Sequence, residues 1–128
     1  MILVDSSYFV ALADRKDRWH VAATELDKSG WDAVLVSDLI VAESVTIVGS
    51  RGRGKAAQRL YSYFVDSCEL SFVDKNTLDR AMKYHLQYDG SLSVADCTSI
   101  VIMQDRGIRR IVSFDTDFDR VKGIERIH

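Results

Sequence analysis

Short runs of apolar, β-branched residues alternate along this chain with longer stretches in which apolar side chains recur every third or fourth position. The runs near 2–5, 34–37, 69–73, 110–113 and 124–127 read as strands. The first four are largely apolar, as strands covered on both faces must be. Between them, Trp19, Ala22, Ala23 and Leu26 trace a helical stripe closed by Gly30, and Ala57, Leu60, Tyr61, Phe64 and Val65 trace another. A third stripe, Leu78, Ala81, Met82, His85 and Leu86, opens after Asp74, which suits an N-cap. Residues 39–48 have the composition of a strand, but their length favours a helix. Residues 94–103 are apolar on most sides, which predicts a helix lying against a sheet rather than on the rim. Strands that alternate with helices imply an α/β fold with a parallel sheet.

A length of 128 residues predicts a single domain over 1–128. The absence of proline and of Gly/Ser-rich tracts leaves no visible linker. No apolar run is long enough for a bilayer, and the N-terminus lacks the zones of a signal peptide, so a cytoplasmic protein is expected. Cys68 and Cys97 form no CxxC pair and suggest neither a disulfide nor a zinc site. A net charge of −2 excludes a protein that coats nucleic acid by bulk electrostatics. Contact with phosphates must then be local, and the candidates are Arg51, Arg53, Lys55 and Arg59, interleaved with Gly52 and Gly54 in what reads as a flexible loop. The same cluster also reads simply as a solvated loop.

The acids change the picture most. Glu43 is the one charged residue between Asp38 and Arg51, set in the run Leu39-Ile40-Val41-Ala42-Glu43-Ser44-Val45. A carboxylate buried there would lose several kcal/mol of hydration unless a cation or strong donors met it. Asp5, Asp96 and Asp115 stand at the ends of other hydrophobic segments. Asp5 and Asp115 fall at the carboxyl ends of strands, where open parallel sheets bind ligands. Four such carboxylates point to a divalent metal ion. Each also has a structural role open to it: Asp5 as a cap for a helix beginning at Ser6, Asp96 in a Ser93-x-x-Asp96 capping box, Asp115 in an Asx turn. Two competing motifs are weaker. Gly49 to Lys55 matches GxxxxGK, but Ala56 replaces the hydroxyl residue that would hold Mg²⁺. His20 and His85 sit in apolar stripes and read as packing histidines, and Cys97 reads as a core residue.

Taken in order, these motifs resemble the PIN-domain family of ribonucleases, especially VapC-like toxins of toxin–antitoxin pairs, over the whole chain. The resemblance rests on Ile2-Leu3-Val4-Asp5-Ser6-Ser7, on Asp17-Arg18-Trp19-His20-Val21-Ala22-Ala23 as an Asp-x-x-His-x-x-Ala pattern, and on the helical Glu43. It continues through Leu92-Ser93-Val94-Ala95-Asp96 to Ser113-Phe114-Asp115-Thr116-Asp117-Phe118, where Ser113 stands in place of the commoner Thr. The resemblance implies a three-layer sandwich, a central parallel sheet of about five strands with helices on both faces. It implies an acidic pocket of Asp5, Glu43, Asp96 and Asp115 that binds Mg²⁺ or Mn²⁺ and hydrolyses RNA through an activated water, with Asp117 as a further candidate, either a water-mediated ligand or a cap. Ser6 and Ser113 are expected to hold carboxylates or waters. A homodimer and a small protein antitoxin that blocks the pocket with Arg or Lys are implied as well.

Two other classes compete. An aspartate after the first strand also opens phosphoryl-transfer and phosphatase domains, which would use Asp5 as a nucleophile. Ser6-Ser7-Tyr8 lacks the second aspartate that one such family carries two residues on, and no adjacent acidic pair ends the first strand. The other class is a catalytically inactive PIN-like module that binds RNA or protein, which retention of all four acids disfavours.

Overall fold

A computed structural model describes all residues, 1–128. Five short strands, β1 (Ile2–Val4), β2 (Val34–Ser37), β3 (Glu69–Ser71), β4 (Arg110–Val112) and β5 (Glu125–Ile127), lie within the runs expected to form them. They make one parallel sheet in the order β3-β2-β1-β4-β5. The helices are α1 (Ser6–Ala13), α2 (His20–Ser29), α3 (Asp38–Ser67), α4 (Lys75–Gln87) and α5 (Val94–Arg106). The expected α/β architecture is therefore present.

Crossover handedness distributes the layers. From β1 the chain steps outward through β2 to β3, then returns past β1 to β4. Parallel crossovers are right-handed, so steps in opposite directions put their helices on opposite faces. The contacts agree: α1 packs on α2 and α3, whereas α4 packs on α5. The reversal of direction lies between β1 and β4, where Leu3 pairs with Ile111 and Val4 with Val112.

The core is the sheet's apolar residues, with Leu3, Val4, Leu35, Val36, Ile111 and Val112 fully buried. Helix α5 is buried continuously from Cys97 to Met103, so its place against the sheet follows from its all-round apolar pattern. Asp74 caps α4 by accepting from the Thr77 amide, as its position predicts. His20 and His85 direct Nδ1 to the carbonyls of Ala11 and Leu92, at 2.8 and 2.6 Å, as packing histidines do.

Helix α3 corrects one expectation. Arg51 to Lys55 is not a flexible glycine loop but part of a kinked helix running from Asp38 to Ser67. The break is confined to Arg53, at φ 69 and ψ −179, a conformation that costs a non-glycine residue roughly 1–3 kcal/mol. Good helix formers flank the two glycines, and extending a nucleated helix adds a hydrogen bond per residue, so helix reaches Arg53 from both sides and the segment becomes a kink instead of a loop. A helix there also excludes the strand-loop-helix context that a phosphate loop needs. No helix of the protein is long and apolar enough to cross a membrane.

Candidate active site

The acids collect at the carboxyl ends of β1 and β4. Asp5 follows β1 directly and stands at the N-cap position of α1, yet its side chain makes no capping bond. Its Oδ2 instead accepts from Ser113 Oγ at 2.9 Å and from Ser7 Oγ at 3.0 Å. The register of β1 on β4 brings these groups together, with the Asp5 amide donating to the Val112 carbonyl at 2.9 Å. The same two hydroxyls fix the far side of the site. Ser7 Oγ accepts from the Phe114 amide and Ser113 Oγ from the Asp115 amide, both at 3.0 Å. Ser6, the residue between, donates to Glu43 Oε1 at 3.0 Å and ties α1 to α3.

Glu43 joins this group, but not for the reason its sequence surroundings suggested. The residue is exposed rather than buried, because the first half of α3 fully buries only the stripe Ile40, Ser44 and Val48 and leaves Ala42, Glu43 and Thr46 outside. Its apolar neighbours Val41 and Val45 are half-buried and line a cavity with Tyr61, Leu70 and Phe72. Glu43 thus escapes the desolvation that would have demanded a cation.

Asp96 lies in the first turn of α5, where its amide donates to the capping Ser93 hydroxyl at 3.0 Å. Asp115 does make the Asx turn open to it, Oδ1 accepting from the Asp117 amide at 2.9 Å. Asp117 turns toward Arg120, whose Nη2 lies 2.8 Å from its Oδ1. Asp119 is held by two bonds from Arg126, at 2.8 and 3.0 Å. Phe114 and Phe118 are both buried and anchor this segment in the core.

Asp96 feels the charges of the other three acids. Burial pushes the Asp96 carboxyl up to about 7, helped by the charges of Asp5 and Asp115, then Glu43, against the Ser93 hydroxyl. Asp5 is raised as well, chiefly by burial, with Glu43 adding and the hydroxyls of Ser113 and Ser7 opposing. None of the four takes part in an ion pair. No three His, Cys, Asp or Glu side chains are gathered tightly enough to enclose an ion unaided. Carboxylates without an ion between them repel and stand apart, and Mg²⁺ keeps several waters through which further carboxylates can hold it. The donor set, carboxylate and hydroxyl oxygen with no nitrogen or sulfur, fits a hard cation such as Mg²⁺ or Mn²⁺.

The cationic candidates lie elsewhere and differ among themselves. Arg51 is engaged, its Nη1 lying 3.0 Å from Asp14 and 2.9 Å from Asp17. Arg53 and Lys55 are exposed, and Arg59 lines an apolar cavity of about 390 Å³ with Tyr8, Phe9, Leu60 and Tyr63. That cavity and the one beside Val41 are lined by none of the four acids. The candidate site is therefore marked by its charge chemistry and not by a cavity. Sequence reasoning named Ser6 and Ser113 but missed Ser7, whose adjacency to Ser6 after a strand-end aspartate was the available signal.

The comparisons with known proteins decide the family. A family model described as PIN domain matches residues 2–124. The chain belongs to the PIN-domain family. That membership displaces the phosphoryl-transfer alternative. This PIN-domain chain is 27% identical to the 23S rRNA-specific endonuclease VapC20 of Mycobacterium tuberculosis over 127 residues, 98% of the chain and 97% of the relative. The crystal structure of VapC20, described as a sarcin–ricin loop cleaving toxin, superposes with a TM-score of 0.85 at 26% identity, covering 93% of each chain. A toxin–antitoxin complex from Klebsiella pneumoniae shares the fold at 13% identity and a TM-score of 0.73, covering 98% of this chain and 96% of the other.

Proposed function

We propose that this chain is a metal-dependent endoribonuclease, the toxin of a type II toxin–antitoxin pair, acting in the cytoplasm as one domain over residues 1–128. The observation that carries the reading is the convergence of Asp5, Glu43, Asp96 and Asp115, without a cation among them, where the strand order reverses. Asp5, Asp96, Asp115 and Glu43 would hold Mg²⁺ or Mn²⁺, while Asp117 contributes at most from its place beside Arg120. When bound, the ion supplies Lewis-acid charge at the scissile phosphate. The protein's own residues do the rest. Ser7 and Ser113 hold the Asp5 carboxylate in place through their hydroxyls, and Ser6 orients Glu43. Glu43, exposed and tethered through only one oxygen, is the acid suited to accept a proton from the attacking water.

RNA is the substrate, and the ribosomal RNA cleaved by VapC20 is the first target to test. A small antitoxin whose Arg or Lys enters the acidic pocket would compete with the ion for the same charge, so its inhibition weakens as Mg²⁺ rises. A homodimer is the proposed assembly. The experiment is digestion of total bacterial RNA by the purified chain with Mg²⁺, with Mn²⁺ and with EDTA. Cleavage in either ion and none in EDTA is expected. A folded chain that leaves all RNA intact in both ions overturns the reading and favours an inactive binding module.

A further inference from the structure

The turn between α1 and α2 carries chemistry that the acidic pocket does not use. Asp14 and Asp17 organise it from within, accepting from the Lys16 and Trp19 amides at 2.9 Å each, while Arg51 clamps both carboxylates from α3. This internal pairing leaves Arg15, Lys16 and Arg18 exposed on the outside. Next to them Trp19 is 38% exposed, a large apolar surface to leave in water. Its ring stacks on Phe114, with centroids 5.3 Å apart and planes within 6°, and the Arg18 guanidinium sits 4.5 Å from the Trp19 centroid.

Phe114 connects this stack to the acids. It precedes Asp115 in the chain, and its amide donates to the Ser7 hydroxyl that also holds Asp5. The distance from platform to pocket is therefore set by a buried side chain and two short hydrogen bonds rather than by a mobile loop.

We propose that the Arg18–Trp19–Phe114 stack is a platform for an unpaired nucleobase of the RNA, placing the neighbouring phosphate at the acidic pocket. The proposal rests on the endoribonuclease reading and adds the residues that position the substrate. A flat aromatic face with an arginine over it is what single-stranded nucleic acid stacks on, since every base has a π-face and Arg adds cation–π attraction. The base displaces or sandwiches against Arg18, and Arg15 and Lys16 draw the backbone in by local charge although the chain is acidic overall. Recognition by stacking selects loops and bulges, whose bases are free, over paired stems.

The test is a chemical double-mutant cycle. The substrate is a short hairpin carrying the cleavage site that the wild-type protein makes in total RNA, prepared intact and with single abasic nucleotides scanned through the loop. Base stacking on an aromatic side chain is worth roughly five- to 150-fold in affinity. In the wild type, one abasic position next to the cleaved bond is expected to raise KM about tenfold or more with kcat changed less than threefold. W19L, which keeps apolar volume but has no ring, is expected to raise KM similarly on the intact hairpin and to be insensitive to that abasic position. W19F is expected to fall between wild type and W19L. A merely structural Trp19 would instead lower the melting temperature and leave the abasic penalty intact. If no abasic position raises KM in the wild type, or W19L retains the full penalty, the platform is overturned while the nuclease reading stands. A wild-type protein that cuts no RNA overturns both. Should W19L fail to fold, the wild-type scan and W19F still decide.

Discussion

Two clusters of carboxylates in this protein have opposite electrostatics. In the α1–α2 turn, Asp14 and Asp17 share the Arg51 guanidinium, and the Asp14 carboxyl lies below its usual range, chiefly through the Lys16 amide and then Arg51. At the ends of β1 and β4, Asp5, Glu43, Asp96 and Asp115 have hydroxyls and amides for company but no cation, and burial raises Asp5 and Asp96. The first cluster is complete and shapes a turn. The second is left short of positive charge, which supports the proposal that a cation from solution completes it. The same contrast holds within a few residues of sequence, where Asp115 is unpaired while Asp117 and Asp119 are occupied by Arg120 and Arg126.

The largest effects should come from changes inside the unpaired cluster. Glu43→Gln and Asp115→Asn are each expected to keep the fold and to lower metal-dependent RNA cleavage about a hundredfold or more. Single-turnover rates with matched circular dichroism spectra check this, and full activity in either folded variant removes that acid from the site. Asp117→Asn should cost less, about tenfold at most, because its carboxylate already faces Arg120. Equal losses for Asp115→Asn and Asp117→Asn would make Asp117 a full ligand.

A stability measurement sharpens the comparison further. The unfolded chain titrates Asp96 near 3.8, whereas the fold keeps its proton up to about 7, so the folded state binds that proton more tightly. This group therefore favours the metal-free fold most fully below pH 3.8, and the advantage is lost as pH rises through 7. Asp96→Asn should abolish that loss and raise the melting temperature at pH 8 by a few degrees, roughly the shift expected for about 1 kcal/mol in a domain of this size. Differential scanning calorimetry at pH 5 and pH 8 in EDTA reads the difference. A variant less stable than wild type at pH 8 would mean that Asp96 serves the fold instead.

Changes in the paired clusters should do least. Arg51→Met is expected to lower the melting temperature slightly, since exposed ion pairs contribute little. Asp119→Asn should leave cleavage within about twofold, because Arg126 already holds that carboxylate away from the chemistry. Should Asp119→Asn cut activity more than Asp115→Asn does, the division between paired and unpaired acids has no functional meaning here.

How much of this could be read from the sequence divides along the same line. The central strands β1, β2 and β4 were legible because a covered strand is apolar on both faces, as Leu3, Val36 and Ile111 show, whereas the edge strand β3 was expected to be covered too and is only half-buried. Helix α5 was legible for the same reason. The four acids were noticed as polar residues ending apolar segments, but for Glu43 the argument rested on burial and its side chain is exposed. What decides its place is Ser6, thirty-seven residues earlier in the chain, and no local pattern specifies such a partner. The glycines at 52 and 54 predicted a loop because local propensity is weak against a helix continuing from both sides. That Arg51 would meet Asp14 was likewise invisible, since the two are also thirty-seven residues apart.

The bond from Ser113 to Asp5 spans 108 positions of the chain. A ribosome synthesising this protein makes Asp5 and Glu43 long before Ser113 and Asp115, and β1 waits for β4 as its neighbour throughout. Contacts so distant in sequence also form slowly. A nascent chain therefore carries Asp5 and Glu43 without an assembled pocket, and whatever reacts there gains its competence only when synthesis has passed the fourth strand. For a protein proposed to cut RNA, that delay keeps the partly made molecule harmless to the machine still making it.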